Sequence, residues 1–283
     1  MNKLSSIFIV AVFVFLSCKG SGGDRVAYEP DDSIAINDSI GDDFPSDSLN
    51  LFDEDVIPTS ADELFNDFFY GFTTDQRFQL SRISFPLKGN EGGKVQRVSK
   101  EEWKADDKFI RQPFFSVIYE RERDMAIQKD TSLNHVVVEY YDLQSETVEK
   151  FNFQRTNGQW QLSSFEKSSS IYGPNEDFIE FYSKFVSDSL FQKQSIHTPL
   201  RLITSEDDEF GDGGDMELSI EDWFEFSSEM PLPRDVMTNI NYGQPSISEN
   251  RKILLVEGLS NGLSVKYKFD KMNGHWRLIE IEN

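Results

Sequence analysis

LFNDFFYGFTTDQRFQLSRISFPL, residues 64–87, and DFIEFYSKFVSDSLFQKQSIHTPL, residues 177–200, are two copies of one pattern in the same chain. Laid over each other without a gap, they are identical at nine of 24 positions. Three of these identities are phenylalanines whose spacing places them on one face of a helix. A match at a fixed shift indicates a duplicated structural unit, so we expect the chain to fold twice in the same way.

The only acidic identity between the copies is Asp75, which matches Asp188. An aspartate kept in both copies is a candidate for catalysis. Each one, however, stands at the predicted start of a second short helix. There an aspartate side chain accepts hydrogen bonds from the first free N–H groups and favours the helix dipole. We therefore expect a capping role for both residues.

The two copies continue with the same order of elements. Ser99 and Ser219 each begin a capping motif for a short helix, which carries Trp103 in the first copy and Trp223 in the second. Asn-Gly pairs predict two-residue hairpin turns near the end of each copy. Because strand-like runs follow helices instead of alternating with them, we expect an α+β fold with antiparallel sheets. The predicted strands are residues 114–119, 135–143, 147–155, 159–165, 236–241, 252–259, 263–270 and 275–281, and the polar run at 88–94 is predicted to be a loop.

The first 17 residues have the pattern of a secretory signal. Lys3 precedes an apolar run at 7–16, which is too short to span a bilayer. Leu16-Ser17-Cys18 then resembles a bacterial lipobox, and Cys18 is the one cysteine of the chain. We therefore predict lipidation at Cys18 and a lipid-anchored protein of the bacterial cell envelope. Lys19 follows the cysteine, and the resemblance of this position to known lipoprotein sorting signals implies the outer membrane. The alternative is an ordinary signal peptide that ends near a cysteine.

Residues 18–57 are rich in aspartate and serine and poor in aromatic residues, which predicts an acidic, disordered tether. The whole chain has a formal net charge of −22. That charge argues against nucleic acid as a partner, because phosphate recognition needs a basic surface. The remaining length fits two domains of ordinary size, which we place at residues 58–168 and 169–283.

This order of elements resembles the cystatin-like cone of the nuclear transport factor two superfamily, which includes SnoaL-like proteins and ketosteroid isomerases. The lipobox, the acidic tether, the Phe-rich first helices and the two Asn-Gly-x-Trp hairpins also look like a family of Bacteroides-type lipoproteins, domain of unknown function 4348. The resemblance covers residues 58–283. It implies two tandem cone-like α+β domains, each with N-terminal helices packed on a curved antiparallel sheet. It implies no known chemistry.

Motifs for cofactor or metal chemistry are missing from the sequence. The histidines, His135, His197 and His275, stand alone in their segments and lack metal-ligand spacing. No glycine-rich phosphate loop is present. We therefore expect no cofactor, and we do not expect nucleophilic catalysis.

Three aromatic residues are candidates for a ligand pocket. Tyr140 lies on a predicted strand, where alternation puts it on the opposite face from Glu139 and Tyr141. It either packs in a core with its hydroxyl satisfied or donates a hydrogen bond in a pocket. Trp103 and Trp223 either stand at pocket mouths or pack their short helices against the rest of the domain.

The acidic insertion SEDDEFGDGGD, residues 205–215, is a candidate for calcium binding. Asp207, Asp208, Asp212 and Asp215 offer carboxylate oxygens of the type that calcium prefers. Their spacing is not that of an EF-hand loop. The alternative is a solvated loop that leads into the capped helix of the second copy.

Together these features predict a non-enzymatic binding or interaction module. Its expected partners are the membrane, through the N-terminal lipid, and either a small apolar ligand or an envelope protein. An isomerase- or hydratase-like enzyme with a pocket in one cone is the alternative, and a scaffold in which the two sheets pack together is a third interpretation. If one cone is catalytic, polar groups should converge inside that cone and not inside the other.

Overall fold

Two six-stranded sheets, each covered by helices, make up the fold. The computed structural model describes residues 62–104, 109, 112–204, 214–259 and 261–283. The first half contains α1 Phe65–Thr74, α2 Gln76–Ser81, β1 Ile83–Glu91, β2 Lys94–Val98, β3 Phe114–Tyr119, a 3-10 helix Glu122–Lys129, β4 His135–Asp142, β5 Thr147–Thr156 and β6 Gln159–Ser168. The second half contains α3 Glu176–Ser187, α4 Ser189–Gln194, β7 Ile196–Ile203, β8 Asp215–Leu218, α5 Ile220–Phe226, β9 Val236–Asn241, β10 Arg251–Gly258, β11 Ser264–Met272 and β12 His275–Glu282.

The repeated helices pack as their phenylalanine spacing predicts. In α1 the apolar face is buried, and the Phe65 ring lies 5.0 Å from the Trp160 ring and 5.5 Å from the Phe153 ring, measured between centroids. The corresponding face of α3 is buried against β11 and β12, with the Phe178 ring 5.4 Å from the Trp276 ring. Each buried phenylalanine contributes about 1.5–3 kcal/mol relative to an exposed one. The paired aromatic faces therefore hold each helix on its own sheet.

The sheets exchange one strand between the two halves of the chain. The first sheet has the order β2-β1-β6-β5-β4-β9, so its last strand comes from the second half. The second sheet has the order β3-β10-β11-β12-β7-β8, so its first strand comes from the first half. We call the first sheet with α1 and α2 the first cone, and the second sheet with α3, α4 and α5 the second cone. The order of elements along the sequence does not reveal this exchange.

The exchanged strands meet where the two cones join. The Ser116 hydroxyl of β3 donates to the backbone oxygen of Thr238 in β9 at 2.6 Å, and the Thr238 hydroxyl accepts from the backbone N–H of Ser116 at 2.6 Å. Ser116 and Thr238 hold equivalent positions in the two repeats. The contact is therefore self-complementary, like an interface on a two-fold axis.

The predicted fold class, α+β with two tandem cones, is confirmed, and details of the sheets differ. Within each sheet one pair is parallel, β1 with β6 and β7 with β12, while every other pair is antiparallel. The run at 88–94 is not a loop, because β1 continues to Glu91 and β2 begins at Lys94. Gly92 and Gly93 make the turn between them with φ of 56° and 85°, which glycine adopts without strain.

In the part of the chain that the structure describes, no helix is both long enough and apolar enough to cross a membrane. These residues all fall within one compact unit. The proposed domain limits at 58–168 and 169–283 stay a prediction.

Candidate functional site

The two tryptophans make the same contact in each cone. Trp223 lies on α5, as predicted, but the short helix predicted to carry Trp103 is wrong at that residue, which lies after a turn. Trp103 is half-buried, and its indole N–H donates to Gln79 Oε1 at 3.2 Å. Trp223 is fully buried, and its indole N–H donates to Gln192 Oε1 at 3.3 Å. In both cones the glutamine amide also donates to a backbone oxygen of the long helix, at 3.1 and 3.0 Å. The structure therefore gives both tryptophans a packing role.

Tyr140 lies on the inner face of the first sheet, at the boundary between an aromatic interior and a polar rim. Its ring packs edge-on against Phe109 and Phe151, with centroids 5.5 and 5.6 Å away. The next position toward β6 is Glu149, directly opposite Tyr140, and Lys167 follows directly opposite Glu149. We call this row Tyr140, Glu149 and Lys167 the rim row.

A cleft of about 400 Å³ opens at the rim row. Gln112, Asp142 and Thr147 contribute to the same cleft. Its volume is at the low end of the range for small-molecule sites. The lining, which also includes Ser145, combines a phenol, an amide, two aliphatic hydroxyls, two carboxylates and an ammonium group. Such a lining recognises a molecule that carries its own hydrogen-bonding groups.

The charges of the rim row compensate each other. Lys167 Nζ lies 3.5 Å from a carboxylate oxygen of Glu149 and 3.7 Å from one of Glu91. Lys167 and Glu91 are about half exposed, whereas Glu149 is mostly buried. Partly exposed pairs of this kind fix side chains in place and contribute little stability.

The second cone buries two tyrosine hydroxyls at positions where the first cone has phenylalanines. Tyr182 of α3 and Tyr267 of β11 are fully buried, and neither hydroxyl has a hydrogen-bond partner among the described residues. The corresponding residues of the first cone are Phe69 and Phe151. Burial raises the pKa of both tyrosines well above the usual value, and the positive charge of Arg234 opposes that rise only in part. Both phenols are therefore neutral hydrogen-bond donors at physiological pH.

Glu139 and Tyr141 lie on the opposite face of β4 from Tyr140, as alternation predicts. Glu139 accepts hydrogen bonds from the Tyr141 hydroxyl and from Asn239 Nδ2, both at 2.7 Å, and Lys150 lies 3.2 Å away. Asn239 belongs to the exchanged strand β9 and also accepts from the backbone N–H of Ile118 at 2.9 Å. This network joins the two halves and does not reach the rim cleft.

Of the calcium candidates, only Asp215 lies within the described residues. Its carboxylate accepts hydrogen bonds from Arg201 at 2.7–2.9 Å, and this contact with the guanidinium lowers its pKa. Asp207, Asp208 and Asp212 lie outside the described residues. Among the residues that are described, no group of three or more histidine, cysteine, aspartate or glutamate side chains is arranged to hold a metal ion.

The histidines are on the surface and apart from the rim cleft. His197 Nδ1 lies 3.1 Å from the backbone oxygen of Pro199, and His135 and His275 begin strands β4 and β12. Residues 258–262 read Gly-Leu-Ser-Asn-Gly, which matches the letters of a nucleophile elbow and bears on the expectation of no nucleophilic catalysis. This stretch connects β10 to β11, whereas an elbow needs a turn from a strand into a helix. Its serine and the lipidation candidate Cys18 lie outside the described residues.

The sequence indicated Tyr140 and missed its partners in the rim row. In the sequence, Glu149 and Lys167 resemble solvent-exposed strand residues, and no motif marks them as part of a site. Their signal is the hairpin register, which brings β5 and β6 together, and a bulge between Asn152 and Phe153 alters that register.

Comparisons with known proteins agree with this architecture. A crystal structure of an NTF2-like protein from Bacteroides fragilis NCTC 9343 superposes with a TM-score of 0.70 at 36% sequence identity. The match covers 78% of this chain and 96% of that chain, which confirms the NTF2-like fold. No curated protein matches the sequence significantly. The model of one family, the domain of unknown function DUF4348, matches residues 46–283. The chain therefore belongs to the DUF4348 family.

Proposed function

We propose that this protein is a lipid-anchored binding module of the bacterial cell envelope that holds a small polar molecule in the rim cleft of its first cone. The observation that carries the binding role is the rim row, where Tyr140, Glu149 and Lys167 line a cleft of about 400 Å³. The described lining favours a polar ligand over the apolar one expected from the sequence. An envelope protein as partner belongs to the same proposal.

The difference between the cones supports a specific site. At the rim of the second sheet the residues that correspond to Tyr140 and Glu149 are Val256 and Val265, which lie directly opposite each other. A duplicated fold needs its aromatic core twice, but it needs a ligand site only once. Polar residues at the rim of one cone alone are therefore better explained by recognition than by folding.

The arrangement of charges supports binding without chemistry. A general base must be available to take a proton from its substrate. Glu149 is instead held beside Lys167, so both side chains are suited to fixed hydrogen bonds with a ligand. The alternative is an isomerase- or hydratase-like enzyme in the same cleft. The observation that favours this alternative is that two carboxylates and a lysine line the rim cleft together.

Blocking the cleft tests the binding role. Thr147→Trp fills the cleft from β5, and Gln154→Trp places the same side chain on the exposed outer face of that strand. Native mass spectrometry of the full chain purified from its host should show a small-molecule adduct in the wild type and in Gln154→Trp, and none in Thr147→Trp. An adduct that persists in Thr147→Trp would place the ligand elsewhere.

The same adduct decides between binding and catalysis. The released molecule is incubated with fresh protein and followed by chromatography and mass spectrometry. An unchanged molecule supports the binding role. Conversion to an isomer, or to a product that differs by one water, would establish the enzyme alternative.

The lipid anchor has a separate test. Cells grown with an alkyne-labelled fatty acid should label the wild-type chain, and Cys18→Ala should lose both the label and membrane fractionation. The anchored state follows from acylation of this one thiol. A Cys18→Ala chain that still fractionates with membranes would contradict the anchor.

A further inference from the structure

In the first cone an aspartate from the segment before α1 sits beside the end of the β5–β6 hairpin. Asp62 accepts two hydrogen bonds of 2.8 Å from the Arg82 guanidinium and one of 3.0 Å from the backbone N–H of Trp160. Asp62 and Arg82 are almost completely buried, and the guanidinium lies 4.8 Å over the Phe78 ring. This site, which we call the carboxylate seat, is thus filled by the chain itself.

The second cone repeats the geometry of the seat. Trp276 lies opposite Lys271 in the hairpin as Trp160 lies opposite Arg155. The backbone oxygen of Ser195 accepts from Leu278 at 2.9 Å, just as that of Arg82 accepts from Leu162 at 2.8 Å. Ser195 therefore stands where Arg82 stands in the first cone. Among the described residues, no side-chain carboxylate accepts from the Trp276 backbone N–H as Asp62 accepts from that of Trp160.

A groove of about 490 Å³ occupies this place in the second cone. Its apolar surface comes from Phe181, Phe191 and Trp276, the residues that correspond to Phe68, Phe78 and Trp160. We call it the hairpin groove. The first cone fills the same space with the Arg82 side chain and Asp62, whereas the second cone leaves it open.

The hairpin groove is locally basic in a chain whose net charge is −22. Lys184, Lys271, His275 and Arg277 line it, against two carboxylates. One of these carboxylates, Asp177, is engaged by Lys271 at 2.6 Å and by the Trp276 indole N–H at 3.3 Å. Lys184 is exposed, and the described residues form no ion pair with it. The groove therefore retains positive charge for an incoming carboxylate.

In the described part of the chain, the segment before α3 does not fill the second seat as Asp62 fills the first. The segment that leads into α3 is held at another place, because Lys252 Nζ donates to Asn175 Oδ1 at 2.9 Å and to the backbone oxygen of Pro174 at 3.4 Å. Lys252 is buried and also pairs with Glu120 at 2.7 Å. An acidic residue for the second seat therefore has to come from outside this segment.

We propose that the hairpin groove of the second cone binds an acidic peptide segment of a partner protein, with one Asp or Glu carboxylate seated at the Trp276 backbone N–H among Lys184, Lys271 and Arg277. The apolar side chains next to that carboxylate pack on Phe191 and Trp276. The site is separate from the rim cleft. A failure of this proposal leaves the ligand site in the first cone untouched.

A peptide copied from the filled seat is the probe. The peptide TSADELF, residues 59–65 with blocked ends, carries the aspartate that the first cone seats, and its control has asparagine in place of that aspartate. In titration of the full chain followed by fluorescence anisotropy, TSADELF should bind about tenfold more tightly than the control, which is the change expected from one charge-assisted hydrogen bond.

Variants of the groove should move the affinity in opposite directions. Lys184→Glu should weaken TSADELF binding severalfold, and Ser195→Arg should strengthen it, because it supplies the guanidinium that the first cone uses. Lys88→Glu makes the same charge change on an exposed residue of the first cone and should leave the affinity unchanged. The proposal would be overturned if the two peptides bound with equal affinity. It would also be overturned if neither Lys184→Glu nor Ser195→Arg changed the affinity for TSADELF.

The identity of the occupant is tested by crosslinking. A photoreactive residue at position 184 of the full chain is activated in cells, and the crosslinked peptides are sequenced. A crosslink to an acidic segment of another protein, which TSADELF displaces, supports the proposal. A crosslink to residues 18–57 of the same chain or to a second copy overturns it, because the occupant would then be the chain itself.

Discussion

At the scale of single residues, the two matched aspartates have the roles of helix caps. The Asp75 carboxylate accepts from the N–H groups of Arg77 and Phe78 at 2.7 and 3.1 Å. The Asp188 carboxylate accepts from those of Leu190 and Phe191 at 2.9 and 3.0 Å. The aspartate is therefore present in both repeats because it caps the N-terminus of α2 and of α4. This capping role accounts for both residues without a catalytic function.

The capping role predicts which substitutions at Asp188 are tolerated. Asp188→Ala should lower the free energy of unfolding by about 1 kcal/mol, because two N–H groups lose their acceptor. Asp188→Asn should cost much less, since an asparagine caps equally well. Urea unfolding at pH 7 measures both variants. An equal loss in the two would show that the charge, not the cap, is what matters.

The two buried phenols of the second cone make a different prediction. Tyr182→Phe with Tyr267→Phe restores the residues that the first cone uses, and it removes two hydroxyls without partners. Because an unsatisfied buried hydroxyl costs about 1–3 kcal/mol, the double variant should be more stable than the wild type. Thermal unfolding measures the change. A destabilised variant would mean that the hydroxyls stabilise this core.

At the scale of elements, an ion pair ties the exchanged strand β3 to the second cone. Glu120 follows β3 and is buried with Lys252 of β10. Burial alone would raise the pKa of Glu120, but the Lys252 ammonium and the N–H groups of Ile247 and Ser248 outweigh it, and the pKa is lowered. At the equivalent place in the first cone, the Tyr242 hydroxyl after β9 donates to Asn66 of α1.

This pair predicts a pH dependence. A carboxyl whose pKa is lower in the folded state stabilises the fold above its unfolded pKa of about 4.3, and that stabilisation is lost as the pH falls through the folded value. Glu120→Gln should cost about 3–5 kcal/mol at pH 7, because it leaves Lys252 buried without its partner. Below pH 4 the difference from the wild type should shrink. Urea unfolding at pH 7 and pH 3.5 tests this, and a constant difference would contradict it.

The sequence predicts most of the helices and strands, but it does not predict the register in which the strands pair. The run at 88–94 is wrongly predicted to be a loop, but the other predicted strands and the phenylalanine faces follow from local patterns in the sequence. The rim row does not. A regular Asn157-Gly158 hairpin would pair Glu149 with Glu166, but the bulge at Asn152 moves its partner to Lys167. A shift of one residue in register exchanges the two faces of a strand. The polar row that lines the cleft therefore depends on a bulge that no local sequence pattern predicts.

At the scale of the whole molecule, strand exchange makes each half incomplete alone. Without the second half, β4 lacks its neighbour β9, and β3 lacks its neighbour β10. Unpaired edges of this kind invite pairing with another chain. The sequence could not reveal the exchange, because strands β3 and β9 have the same neighbours along the chain whether they pair within their own half or with the other.

The exchange predicts the behaviour of the first half by itself. Residues 58–168 should form a dimer in which β3 of each copy pairs with β4 of the other, because β3 is the repeat equivalent of β9. The contact of Ser116 with Thr238 would become a contact of Ser116 with its own copy. Size-exclusion chromatography with light scattering should give twice the mass of one fragment. Ser116→Arg, which is buried at this contact, should abolish the dimer, whereas Ser84→Arg on the exposed face of β1 should not. A folded monomer of residues 58–168 would show that each half completes its own sheet when the other is absent.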